Sequence, residues 1–190
     1  ANNPLALHNA FGEISLTGDL TGATELAVEY GRLRTARLEG PRNSLKLTNA
    51  RAAVPFVSRA VIDASYAKVR LTEGGSVELR SNYSDIDIGL VSDLTMHSKY
   101  GDVALGTVQN LRGTSGYSRF SVDRLNRALD MKVQYSPSFE VRTTGPNFRQ
   151  ITLDGGYSTI LLNFPDGAAF GFDVSTEHGQ LLVDKRLIKV

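Results

Sequence analysis

All seven tyrosines of this chain, Tyr30, Tyr66, Tyr83, Tyr100, Tyr117, Tyr135 and Tyr157, occupy the same place in a repeating unit. Those from Tyr66 to Tyr117 recur every 17 residues, and a small residue follows each of the seven: Gly31, Ala67, Ser84, Gly101, Ser118, Ser136 and Ser158. Taking Tyr as position zero, apolar residues fall three and five residues later: Val69 and Leu71, Ile86 and Ile88, Val103 and Leu105. Alternating apolar residues precede it, among them Val77 and Leu79, Leu94 and Met96, and Leu129, Met131 and Val133. Polar residues such as Glu78, Arg80, Thr95 and Lys132 stand between them. This is the period-2 pattern of half-buried strands, and no helical spacing persists anywhere.

The register extends beyond the tyrosines to Phe11, Asn49 and His178, giving ten units with zero positions 17 to 22 residues apart. A period that short is too small for a propeller blade, an ankyrin unit or a helical hairpin repeat. It suits one coil of a parallel β-solenoid. Seventeen extended residues give a perimeter of about 56 Å, and ten coils a rod of about 48 Å. The expected fold is an all-β, single-domain parallel β-helix over residues 1–190, with a thin core of side chains stacked in files. One further file is expected through Val91, Val108 and Leu125, and a bulge at Pro137-Ser138. Gly74-Gly75, Gly89, Gly106, Gly113, Gly145 and Gly155-Gly156 read as turns.

Parity along each strand places the tyrosines on the inward face. They are thus expected to form a structural ladder, with small residues two positions earlier (Ala64, Ser81, Ser98, Ser115) making room for the rings. The small residue after each Tyr is expected to form the corner. An aromatic strip able to stack on carbohydrate would require the ladder to face outward.

A length of 190 residues with 41% hydrophobic content permits a sizeable core. The net charge of +1 predicts no general attraction to nucleic acid, and no run of 18 apolar residues offers a membrane span. The first residues lack the basic and apolar regions of a signal peptide, as in a processed exported chain or a cytosolic one. With no cysteine there are no disulfides, thiol chemistry or thiolate metal sites.

Two bands of charge fall on outward positions after the tyrosines. Arg32, Arg34, Arg51, Lys68 and Arg70 form a basic band, followed by Asp85, Asp87 and Asp102. Between Arg32 and Thr72, nine basic residues face only Glu39 and Asp63. The band reads as a solvated face whose abutting opposite charges help set coil register, or as a contact for an anionic glycan. The three aspartates suit weak calcium binding at most, or the acid–base pair of a polysaccharide hydrolase or lyase. A cleft for such an enzyme is expected only at the irregular stretch Arg51 to Ala60, around Pro55. His8, His97 and His178 lack metal-ligand spacing, and Ser84, Ser118, Ser136 and Ser158 lack the context of a nucleophile elbow.

The units Asn82-Tyr83-Ser84-Asp85-Ile86-Asp87-Ile88-Gly89 and Lys99-Tyr100-Gly101-Asp102-Val103-Ala104-Leu105-Gly106 resemble the adhesin families of exported bacterial proteins. These include the auto-transporter head-domain type found in Bacteroidetes. The resemblance is clearest from Ser65 to Ser121. It implies a right-handed β-helix secreted to the periplasm or outer cell surface, and supplies no active site and no cofactor. The expected function is a non-enzymatic envelope interaction module. Its partners would be a glycan or another envelope protein, with end-to-end or side-by-side self-association open. The rivals are a carbohydrate-active enzyme and a structural spacer.

Overall fold

The computed structural model describes residues 3–165 and 167–183. These residues form one 15-stranded, wholly parallel system with no helix. Each unit stacks on the next in register: Lys68 pairs with Asp85, Val69 with Ile86, and Ile86 with Val103. The chain is a β-solenoid of ten coils, one for each unit of the sequence repeat. In the central coils a single bent strand makes most of a circuit, for example Lys68–Asn82 and Asp85–Lys99.

Burial along Lys68–Asn82 falls at Val69, Leu71, Gly74, Val77, Leu79 and Ser81. The inward spacing is two within each straight run and lengthens to three on either side of Gly74. Those two breaks in alternation, with a third at the tyrosine, fold the strand into a closed coil. Inward residues therefore stack on their own kind. The file expected through Val91, Val108 and Leu125 is fully buried, with Val91 over Val108 and Val108 over Leu125. It continues back to Val57 and Leu38. The bulge at Pro137 brings Phe139 into line with Phe120, and these two buried rings stack at 5.1 Å. The two longest units place Phe148, Phe164 and Phe170 as a cluster inside their extra length.

The position-zero residues differ from the sequence expectation in a consistent way. Phe11, Tyr30, Asn49, Tyr66, Tyr83, Tyr100, Tyr117, Tyr135, Tyr157 and His178 all have φ between 47° and 63°. No other non-glycine residue described has positive φ. The tyrosine itself, rather than the small residue after it, is the left-handed corner. A left-handed residue interrupts the alternation of side chains, so parity cannot be counted through it. The rings consequently point outward, and Tyr66 is 59% exposed. It is the following small residue that turns inward: Ala50, Ala67, Ser84, Ser118, Ser136 and Ser158 are all buried.

Serine suits that inward corner because its hydroxyl closes the turn. Ser84 Oγ donates to the Asn82 carbonyl at 2.8 Å and accepts from the Ala67 N–H at 3.0 Å. Ser158 Oγ repeats this with Gly156 and Ser136. The small residues two before Tyr leave room for this corner, not for the ring; Ser98 Oγ lies 3.4 Å from Ser118 Oγ. Several glycines read as turns, including Gly74, Gly75, Gly89, Gly106 and Gly113, lie within strands. Close approach to the preceding coil accounts for most of them. At Gly106, for instance, a Cβ would collide with the Gly89 carbonyl oxygen. The stretch around Pro55 is likewise part of the continuous strand Arg51–Ser65 and forms no insertion.

One buried polar residue staples the N-terminal coils. Asn43 is fully buried; its Oδ1 accepts from Thr24 Oγ1 at 2.8 Å, and its Nδ2 donates to the Arg59 carbonyl at 2.8 Å and the Gly40 carbonyl at 3.2 Å. Three coils are joined by one amide. Asn43→Ala would strand the buried Thr24 hydroxyl and remove a donor from the Arg59 carbonyl, while the Gly40 carbonyl keeps Ser58 Oγ at 2.6 Å, so a loss of about 2–3 kcal/mol is expected in urea unfolding. Asn43→Asp is expected to cost at least as much, because both donors to the carbonyls disappear.

Candidate functional site

The outward position two residues after each corner forms a file along the rod: Glu13, Arg32, Arg51, Lys68 and Asp85 pair in that order. Two residues further on, Arg34, Ala53, Arg70, Asp87 and Ala104 form a second file. All five basic residues of the sequence band are exposed and lie on this one face, as do Asp85, Asp87 and Asp102. A shallow open groove of about 740 Å³ runs over the second half of the band, from Arg51 to Arg119.

The charges on this face are not equivalent. Lys68 Nζ lies 3.9 Å from Asp85, Arg70 lies 3.4 Å from Asp87, and Arg34 lies 3.7 Å from Glu13. The first two are the abutting opposite charges expected from the sequence, and Glu13 adds a third pair; each exposed pair contributes about 0–1 kcal/mol. Arg32 and Arg51 have no carboxylate within 4 Å among the described residues. They pair directly with each other in the file; the other neighbour of Arg51 is Lys68, and that of Arg32 is Glu13, whose carboxylate lies 3.7 Å from Arg34. Like charges opposite one another on adjacent strands are destabilising. The fold thus holds two uncompensated guanidinium groups side by side, each a planar fork suited to carboxylate, sulfate or phosphate.

The aspartates lie on neighbouring coils. Asp85 and Asp87 are each committed to a cation, and the Asp102 N–H donates to Asp85 Oδ1 at 3.3 Å. No group of three or more His, Asp or Glu able to hold a metal ion occurs among the described residues. His97 is tied to Thr114 at 3.0 Å, and His8 lies 3.8 Å from Glu29. His178 stacks on Tyr157 at 4.9 Å.

The aromatic ladder borders the basic file. Six tyrosines from Tyr66 to Tyr157 stack in succession at 4.7–5.0 Å, nearly parallel, and His178 extends them. Phe11 and Tyr30 form a separate pair at 5.1 Å. The outward strip that sugar stacking requires is therefore present, although within the stack each ring face is covered by its neighbour. Open faces occur only where the stack is interrupted or ends. Asn49 makes that interruption, since it occupies the rung between Tyr30 and Tyr66.

Asn49 is the site residue that the sequence singled out only as a repeat unit without tyrosine. Two hollows meet at it. One, of about 520 Å³, is lined by Glu13, Tyr30, Arg32, Asn49 and Arg51; the other, of about 380 Å³, by Asn49, Arg51, Tyr66, Lys68 and Asp85. Each hollow thus holds one carboxylate, Glu13 beside Arg34 and Asp85 beside Lys68. No helix among the described residues is long and apolar enough to cross a membrane. No family model, curated protein or solved structure matches the chain.

Proposed function

We propose that this β-solenoid is a non-enzymatic interaction module of the bacterial cell envelope that binds an anionic glycan along its basic face. The observation that carries the reading is the uncompensated Arg32–Arg51 pair, set beside an exposed aromatic strip on a rigid array of strands. A preformed surface loses little ordering entropy on binding, so modest contacts suffice. Repetition at the strand spacing also suits a polymer that presents the same charge at intervals. The aspartates lie on an open groove that expels no water, and water exclusion is what would sharpen acid–base chemistry there. The envelope setting rests on the resemblance of the Tyr83 and Tyr100 units to exported adhesin families.

An array of neutral and acidic oligosaccharides tests the proposal. Binding to the acidic set is expected at low ionic strength, weakening steeply as salt is raised. Arg32→Glu with Arg51→Glu should reduce it at least about a hundredfold, since each charge-assisted contact contributes about 1.5–3 kcal/mol. Arg34→Glu with Arg70→Glu should have a much smaller effect, because those cations already face Glu13 and Asp87. Equal losses from the two pairs would overturn this assignment of the contact.

A further inference from the structure

We propose that the interrupted rung at Asn49 is a subsite for a single acidic pyranose unit, held between the open faces of Tyr30 and Tyr66. This deepens the glycan-binding reading and rests on it.

Four observations converge on the slot. Tyr30, Asn49 and Tyr66 are consecutive corners with φ of 50°, 47° and 50°, so the ladder keeps its course while one ring is absent from it. Two rungs at the strand spacing put the flanking rings about 9.6 Å apart. A ring inserted midway would stand about 4.8 Å from each, within the range that ring stacking uses. The tyrosine faces are electron-rich and attract the electron-poor C–H bonds of a pyranose. Asn49 at the base of the slot is exposed and offers both an acceptor oxygen and an N–H₂ donor, matching a sugar hydroxyl. Arg32 and Arg51, two residues beyond Tyr30 and Asn49, line the same hollow with no carboxylate within 4 Å among the described residues, and the Glu13 that shares the hollow lies 3.7 Å from Arg34. They are placed to take the acid group of a hexuronate. A simple aromatic acid would fill the slot but leave the amide without a hydroxyl to meet, which favours the sugar.

Tri-galacturonate titrated into the full chain, followed by calorimetry and by NMR of tyrosine ring protons, tests this. The ring signals of Tyr30 and Tyr66 are expected to shift while those of Tyr117 and Tyr135 stay in place. Asn49→Tyr, which completes the ladder, should weaken binding at least tenfold while leaving the melting temperature unchanged or raised. Asn49→Ala should weaken it only by about threefold. If Asn49→Tyr binds like the parent while the Arg32→Glu, Arg51→Glu protein does not, the subsite is wrong and the basic-face reading stands. If the parent chain binds neither tri-galacturonate nor any other acidic oligosaccharide of the array, both fall. Tighter binding of benzoate than of galacturonate would overturn the assignment to a sugar.

Discussion

Replacing Tyr100 by valine is expected to destabilise the protein by about 3 kcal/mol, although the side chain lies on the outside of the rod. Tyr100 stacks on Tyr83 at 4.7 Å and on Tyr117 at 4.9 Å, and its φ is 56°. Each aromatic pair contributes about 0.5–1.5 kcal/mol, so losing two costs about 1–3 kcal/mol. Holding a non-glycine residue left-handed costs about 1–2 kcal/mol, and a β-branched side chain is worse there. Stacking is therefore what offsets the strain of a repeated left-handed corner. Asparagine tolerates that corner and stands in it naturally at Asn49, so Tyr100→Asn should lose the stacking but relieve part of the corner strain, a net loss of about 1–2 kcal/mol. Tyr100→Phe should stay within about 0.5 kcal/mol of the parent, since the ring remains. Denaturant unfolding of the three variants separates the two contributions. Equal costs for valine and asparagine would show that backbone handedness plays no part, and a cost below about 1 kcal/mol for valine would show the same of stacking.

That corner also marks where sequence reasoning stopped. The repeat, its ten units, the parallel stacking and the buried file through Val91, Val108 and Leu125 follow from spacing alone, because the inward positions of the straight runs are apolar in most copies. The direction of the tyrosines did not follow. Counting parity from Leu79 and Ser81 to Tyr83 assumes an unbroken pleat, and one left-handed residue reverses the count. A signal was present in the copies lacking tyrosine: Asn49 and His178 belong to the few residue types enriched at positive φ, and they share position zero. The basic band was legible because five outward cations lie within three successive coils. Which of them lack partners was not, since that depends on which coil stacks on which side chain. Arg70 meets Asp87 only through the 17-residue step, whereas Arg32 meets Arg51 through one of 19. Small changes in unit length thus decide which charges are left for a ligand.

The same close stacking makes Gly113→Ala a severe substitution, with an expected loss of about 3 kcal/mol or more. Gly113 has φ of 133°, where an alanine is strained, and a Cβ there would collide with the carbonyl oxygen of Met96 in the preceding coil. That oxygen is backbone in a central strand and cannot swing aside as a side chain could. Three residues further along the same strand, Gly116 supplies the control: its φ is not positive, and a Cβ would make only an ordinary 3.7 Å contact with the Gln134 carbonyl oxygen. Gly116→Ala should be neutral or stabilise by about 0.4–1 kcal/mol through the unfolded state. Position in the stack adds a second expectation. Each coil pairs with its two neighbours, so strand Val103–Gly116 carries the hydrogen-bonded ladder between Asp85–Lys99 on one side and Arg119–Gln134 on the other. Weakening it should uncouple the N-terminal and C-terminal coils, converting one unfolding transition into two in calorimetry, whereas Gly116→Ala keeps one. A single shifted transition for Gly113→Ala would mean that stability in this rod is shared over many coils rather than passed from each to the next.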